Sequence, residues 1–145
     1  MNTHRQRWSW ILALTLVALG GCGSSDPFDY VQVRGKVTYD DGSTIPAQFI
    51  RVTFVPQTPP ADVKTHPRPG VAEVDVATGS FDVVTSHDFG DGVVRGAHKV
   101  TIVSLDQQLN ATPSVPAIYG DVNTTPITVD AAESPYHFQV RKPGS

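Results

Sequence analysis

From Tyr30 onward, nonpolar side chains recur at every second position, in short runs broken by glycine, proline and aspartate. Successive side chains of a strand point to opposite faces, so this period buries one face and wets the other. Val31, Val33, Val37 and Tyr39 form the first such face, and Asp40-Asp41-Gly42 ends it as a turn. Ile50, Val52 and Phe54 form the second, closed by Pro56, which cannot donate to a ladder. Ala72, Val74 and Val76, then Phe81 and Val83 across Ala77-Thr78-Gly79-Ser80, read as a hairpin. His98, Val100 and Ile102 follow Gly96, and Ile127 with Val129, then Tyr136, Phe138 and Val140, complete the set. No run of ten or more residues carries a helical period. Seven short strands over residues 30–145 predict an all-β domain, a seven-stranded antiparallel β-sandwich. The loops 57–69, with Pro59, Pro60, Pro67 and Pro69, and 106–120, with Pro113 and Pro116, are expected to be exposed and extended.

The first 29 residues follow a different rule. Arg5 and Arg7, with no acid, precede the apolar run from Trp10 to Leu19. That order is a secretory leader, and its apolar core is about half the ~20 residues a membrane-crossing helix needs. Leu19-Gly20-Gly21-Cys22 resembles the lipobox of bacterial lipoproteins, which implies cleavage between Gly21 and Cys22 and lipid attachment at Cys22. Residues 1–21 are then the signal peptide, and 22–29 are a lipidated tether. The single Cys excludes an internal disulfide and any multi-cysteine zinc site. Gly23 stands where an aspartate would retain some lipoproteins in the inner membrane, so the resemblance implies an outer-membrane destination. Loss of Arg5 and Arg7 takes the formal charge from -3 to -5. An acidic body has no general attraction for nucleic acid or anionic lipid, so the acyl chains must hold it to the membrane.

Gly35-Lys36-Val37-Thr38-Tyr39-Asp40, Val52-Thr53-Phe54-Val55-Pro56 and Thr78-Gly79-Ser80-Phe81 resemble the carboxypeptidase-regulatory-like, or transthyretin-like, domains of bacterial lipoproteins. Gly96-Ala97-His98-Lys99-Val100-Thr101-Ile102, Pro116-Ala117-Ile118-Tyr119 and Thr124-Thr125-Pro126-Ile127-Thr128-Val129 extend the likeness over nearly all of the processed chain. The resemblance implies a prealbumin-like (Ig-like) seven-stranded sandwich on a lipid anchor, usually without an assigned activity. His98 stands where that family commonly carries an aromatic.

Groups that could carry chemistry are scattered. His66, His87, His98 and His137 are never spaced at i, i+2 or i, i+4, the intervals that put two ligands on one side of a strand or helix, so no metal site is expected. His87-Asp88-Phe89-Gly90-Asp91-Gly92 gathers two carboxylates but lacks the later bidentate glutamate of an EF-hand loop, and reads as a solvated turn. There is no Gly-x-Ser-x-Gly elbow, and no triad is nominated. The expectation is a non-catalytic accessory domain of the cell envelope, without cofactor, that contacts an envelope protein or wall polysaccharide. The alternative is a carbohydrate-binding module, for which Tyr119 and Phe89 would be the exposed aromatics.

Overall fold

The computed structural model describes residues 26–144. The leader, the Gly21-Cys22 junction and the first residues of the tether lie outside the described residues. Nine strands form: β1 (Tyr30–Val31), β2 (Gly35–Tyr39), β3 (Phe49–Pro56), β4 (Gly70–Glu73), β5 (Ser80–Phe81), β6 (Val93–Val94), β7 (Ala97–Leu105), β8 (Thr128–Asp130) and β9 (Tyr136–Val140). Two single 3₁₀ turns, Ala117–Tyr119 and Ala131–Glu133, are the helical segments among the described residues. No helix there is long and apolar enough to cross a membrane. The chain is all-β.

The strands make a four-stranded sheet in the order β4-β3-β7-β8, a three-stranded sheet β5-β2-β9 and a small ribbon β1-β6. β3 is central: Val52 lies between Ala72 of β4 and Ile102 of β7. Ile50, Val52 and Phe54 are buried while Arg51 is exposed, as the alternation requires. Phe54 joins the two larger sheets. Its ring centroid is 6.0 Å from that of Phe81, 5.8 Å from Tyr136 and 6.1 Å from Phe138, which belong to β5 and β9 of the opposite sheet. These offset and tilted contacts suit aromatic quadrupoles and fill the layer between the sheets.

The architecture departs from expectation in three places. There are nine strands rather than seven: the first run divides into β1 and β2, because β1 pairs with β6 and after Gln32-Val33-Arg34 the chain enters the ladder of β2. β6 itself, two residues not read as a strand, completes the nine. Val33 still points inward, so alternation alone does not register the change. β2 and β9 pair in parallel, from Gly35↔Tyr136 to Tyr39↔Val140, so the sandwich is not purely antiparallel. A side-chain pattern fixes which face is buried but not the direction of a strand, and parallel neighbours need only a long connection, here most of the domain. The hairpin after β4 closes through bridges Asp75↔Ser80 and Val71↔Thr85, but between them one strand gains a residue. Val84 is therefore fully buried and Val83 is exposed, the reverse of strict alternation, as an extra residue of the bulge type produces. Beyond Phe81 the inward face is displaced by one residue.

The pairings also define two ends. Pro56 faces His98 at the start of β7, and Phe49 faces Leu105 at its finish. The loop 57–69 thus leaves from the end where β7 begins. Arg95, two residues before β7, donates its N–H to the Asp29 carbonyl at 2.8 Å and its Nε–H to the Asp29 carboxylate at 2.7 Å. The N-terminal segment is held at that same end. The turn 106–110 is at the opposite one.

Candidate functional site

At the tether end, three segments meet around one cleft. Asp26 and Phe28 line it from the N-terminal segment, Lys64, His66 and Arg68 from the loop 57–69, and His87 from the loop 86–92. Asp26 accepts hydrogen bonds from the Tyr30 hydroxyl at 2.7 Å and the Phe28 N–H at 3.0 Å. The Tyr30 bond, then the Phe28 amide, hold its carboxyl below the usual carboxylate range. Burial, reinforced by Asp26, pushes the Tyr30 phenol up. His87 Nδ1 lies 3.9 Å from the same carboxylate. Residues 26–29, read from sequence as tether, are thus bonded to the body.

Each of the two loops is built on an aspartate. In 57–69, the Ala61 N–H donates to the Thr65 carbonyl at 2.9 Å, and Asp62 accepts from the N–H groups of Lys64 and Thr65 at 2.7 and 2.9 Å. Such side-chain-to-backbone bonds close a tight turn. Its apex is Val63, 90% exposed. In 86–92, Asp91 accepts from the N–H groups of Ser86, His87 and Asp88 at 2.8 to 2.9 Å. Burial raises the Asp91 carboxyl, but the backbone donations outweigh it and the net shift is downward. Its oxygens serve the loop's own backbone. Gly92 closes this loop with φ +97°, and a Cβ there would stand 2.1 Å from the Val31 carbonyl oxygen, so only glycine fits. Phe89, at the tip, is 90% exposed.

Of the four histidines, His66 and His87 share the cleft. His137 Nε2 lies 3.0 Å from the Thr38 hydroxyl on the neighbouring strand. Among the described residues, no group of three or more His, Cys, Asp or Glu side chains is arranged to hold a metal ion. Tyr119 is not an exposed aromatic: it is 6% exposed, and its hydroxyl accepts the Arg141 N–H at 3.2 Å. The 106–120 loop, expected to lie free of the core, packs Val115 and Tyr119 into it. Ser104 Oγ, on β7, accepts the N–H of Val115 at 3.0 Å and helps hold this loop to the sheet.

His98 is fully buried on the inward face of β7, edge-on to Phe54 at 6.2 Å. Its Nδ1 lies 3.0 Å from the Gly96 carbonyl oxygen, a contact that places the proton on Nδ1, whereas Nε2 has no hydrogen-bond partner. Protonating Nε2 would bury an N–H without an acceptor. Desolvation accordingly lowers the His98 pKa, against opposing pulls from the Gly96 carbonyl and the Asp130 charge. With the folded value below the unfolded one of about 6.5, the unfolded chain takes up the proton first as pH falls. Stability attributable to this residue is intact above pH ~6.5 and declines below it, with a slope approaching ~1.4 kcal/mol per pH unit until the folded value is reached. His98→Phe is expected to remove that component. Urea titrations between pH 7.5 and pH 5 check it, and equal acid sensitivity in both proteins would contradict the assignment.

Comparison of the chain with protein-family models, curated proteins and solved structures finds no match.

Proposed function

We propose that the chain is a lipid-anchored, non-catalytic domain of the bacterial cell envelope, held by Cys22 at the outer membrane and contributing contacts to another envelope component. The observation that carries this reading is the order of features ahead of the folded body. A cationic segment with Arg5 and Arg7, the apolar run Trp10 to Leu19 and Leu19-Gly20-Gly21-Cys22 all precede an all-β body whose first described residue is Asp26. Two or more acyl chains hold a protein durably where one holds it marginally. The arrangement of a four-stranded sheet on a three-stranded one supports a prealbumin-like sandwich as the finer fold. The carbohydrate-binding alternative is weakened by the burial of Tyr119, which leaves Phe89 as its aromatic.

Cys22→Ser tests the anchor. The variant is expected to move from the detergent phase to the aqueous phase of a membrane extract and to lose any lipid mass. Unchanged partition and mass would overturn the anchor. Crosslinking in cells to one recurrent protein partner would support the accessory role, whereas glycan-array binding lost on Phe89→Ala would support the carbohydrate reading.

A further inference from the structure

We propose that the tether end of the domain rests on the bilayer itself, with Val63 and Phe89 inserted at the boundary between headgroups and acyl chains. The inference rests on the lipid-anchor reading and adds a second contact to it. Three observations lead there. The two side chains are both 90% exposed, each at the tip of a turn stapled by an aspartate, so neither is free to fold back and bury itself. Both loops line the same cleft as Asp26. Cys22 is four residues before Asp26, a distance of at most about 14 Å along the chain. A domain anchored at Cys22 thus has the two most exposed large apolar side chains among the described residues at the end nearest the lipid, ahead of Leu109 at 58% in the opposite turn. The tether raises the local concentration of bilayer so that even weak insertion is populated.

The charges around the tips select the kind of surface. Lys64 and Arg68 are accompanied by Asp26, Asp62 and Asp88, so the patch carries no net positive charge to draw it to anionic lipid. Mixed charges around an apolar tip match zwitterionic headgroups, where cations meet phosphate and carboxylates meet the ammonium. The apolar tips supply the driving force, and the ionic rim fits around them.

Tryptophan fluorescence tests the proposal, because Trp8 and Trp10 both lie within residues 1–21 and the processed chain has none. The full processed lipoprotein with Phe89→Trp, reconstituted in phosphatidylethanolamine and phosphatidylcholine vesicles, is compared with Gln108→Trp at the opposite end. Acyl-brominated lipid is expected to quench the residue 89 emission at least twofold and to leave the residue 108 emission unchanged. Quenching should persist at about 1 M salt, where the screening length is about 3 Å. Quenching lost in salt would show that charge pairing rather than the apolar tips holds the domain to the surface, and would overturn the insertion of Val63 and Phe89. A protein whose mass shows lipid on Cys22 but whose residue 89 emission matches residue 108 overturns the docking alone. A protein without lipid and without quenching overturns both docking and anchor.

Discussion

Val52→Asp is expected to unfold the domain or to lower its melting temperature by about 15 °C or more, a loss beyond ~4 kcal/mol. Val52 is fully buried on the central strand of the larger sheet, between Ala72 and Ile102. A carboxylate there would stand within the buried apolar cluster, so it must be neutralised or drag water into the core. Domains of this size hold roughly 5–15 kcal/mol in all, so one such charge removes a large share. Arg51→Ala on the exposed face of the same strand is the control and should shift stability by no more than ~0.5 kcal/mol. A Val52→Asp protein melting within ~2 °C of the parent would place the inward face of β3 on the wrong side.

Phe54→Ala is the second large effect, expected to cost about 3–5 kcal/mol. Phe54 meets Phe81, His98, Tyr136 and Phe138, so its truncation opens a void between the sheets rather than a dent in one of them. The loss combines the transfer free energy of the ring with the dispersion contacts that its neighbours forfeit. Phe54→Leu should recover more than half of it, because it restores most of the volume. Equilibrium urea unfolding of the three proteins decides the matter, and a Phe54→Ala loss under ~1 kcal/mol would contradict a shared core.

Both predictions concern residues whose placement is legible in the sequence. Ile50, Val52 and Phe54 alternate with charged or polar neighbours, and that suffices to assign the buried face of β3. Tyr136, Phe138 and Val140 do the same for β9. What alternation does not encode is partnership. The parallel pairing of β2 with β9 joins strands about a hundred residues apart, and no local signal distinguishes it from an antiparallel one. The β1-β6 ribbon has two residues per strand, below the length at which a period can be read. Val83 and Val84 are adjacent and chemically identical, so the extra residue that buries the second and exposes the first leaves no mark in composition.

The cleft shows the same division. Asp62 two residues before Lys64, and Asp91 beside Gly92, are recognisable turn formers. Their convergence beside Asp26 depends on ladders that bring residues 57–69, 86–92 and the N-terminal segment to one end, which only the assembled topology supplies. Tyr119 illustrates the converse. A tyrosine in a proline-bearing loop reads as exposed, yet the 3₁₀ turn Ala117–Tyr119 delivers its ring to the core while the hydroxyl finds the Arg141 amide. His98 stands between these cases: its strand and face follow from alternation, but that Nε2 is buried without a hydrogen-bond partner depends on the packed surroundings, where Phe54 of the neighbouring strand meets the ring edge-on.

Intact-mass spectrometry of the protein isolated from its native membrane bears most directly on the anchored-domain reading. The expected species begins at Cys22, lacks residues 1–21 and carries the added mass of acyl lipid on that residue. A species that retains residues 1–21, or one cleaved at another position with an unmodified Cys22, would contradict it.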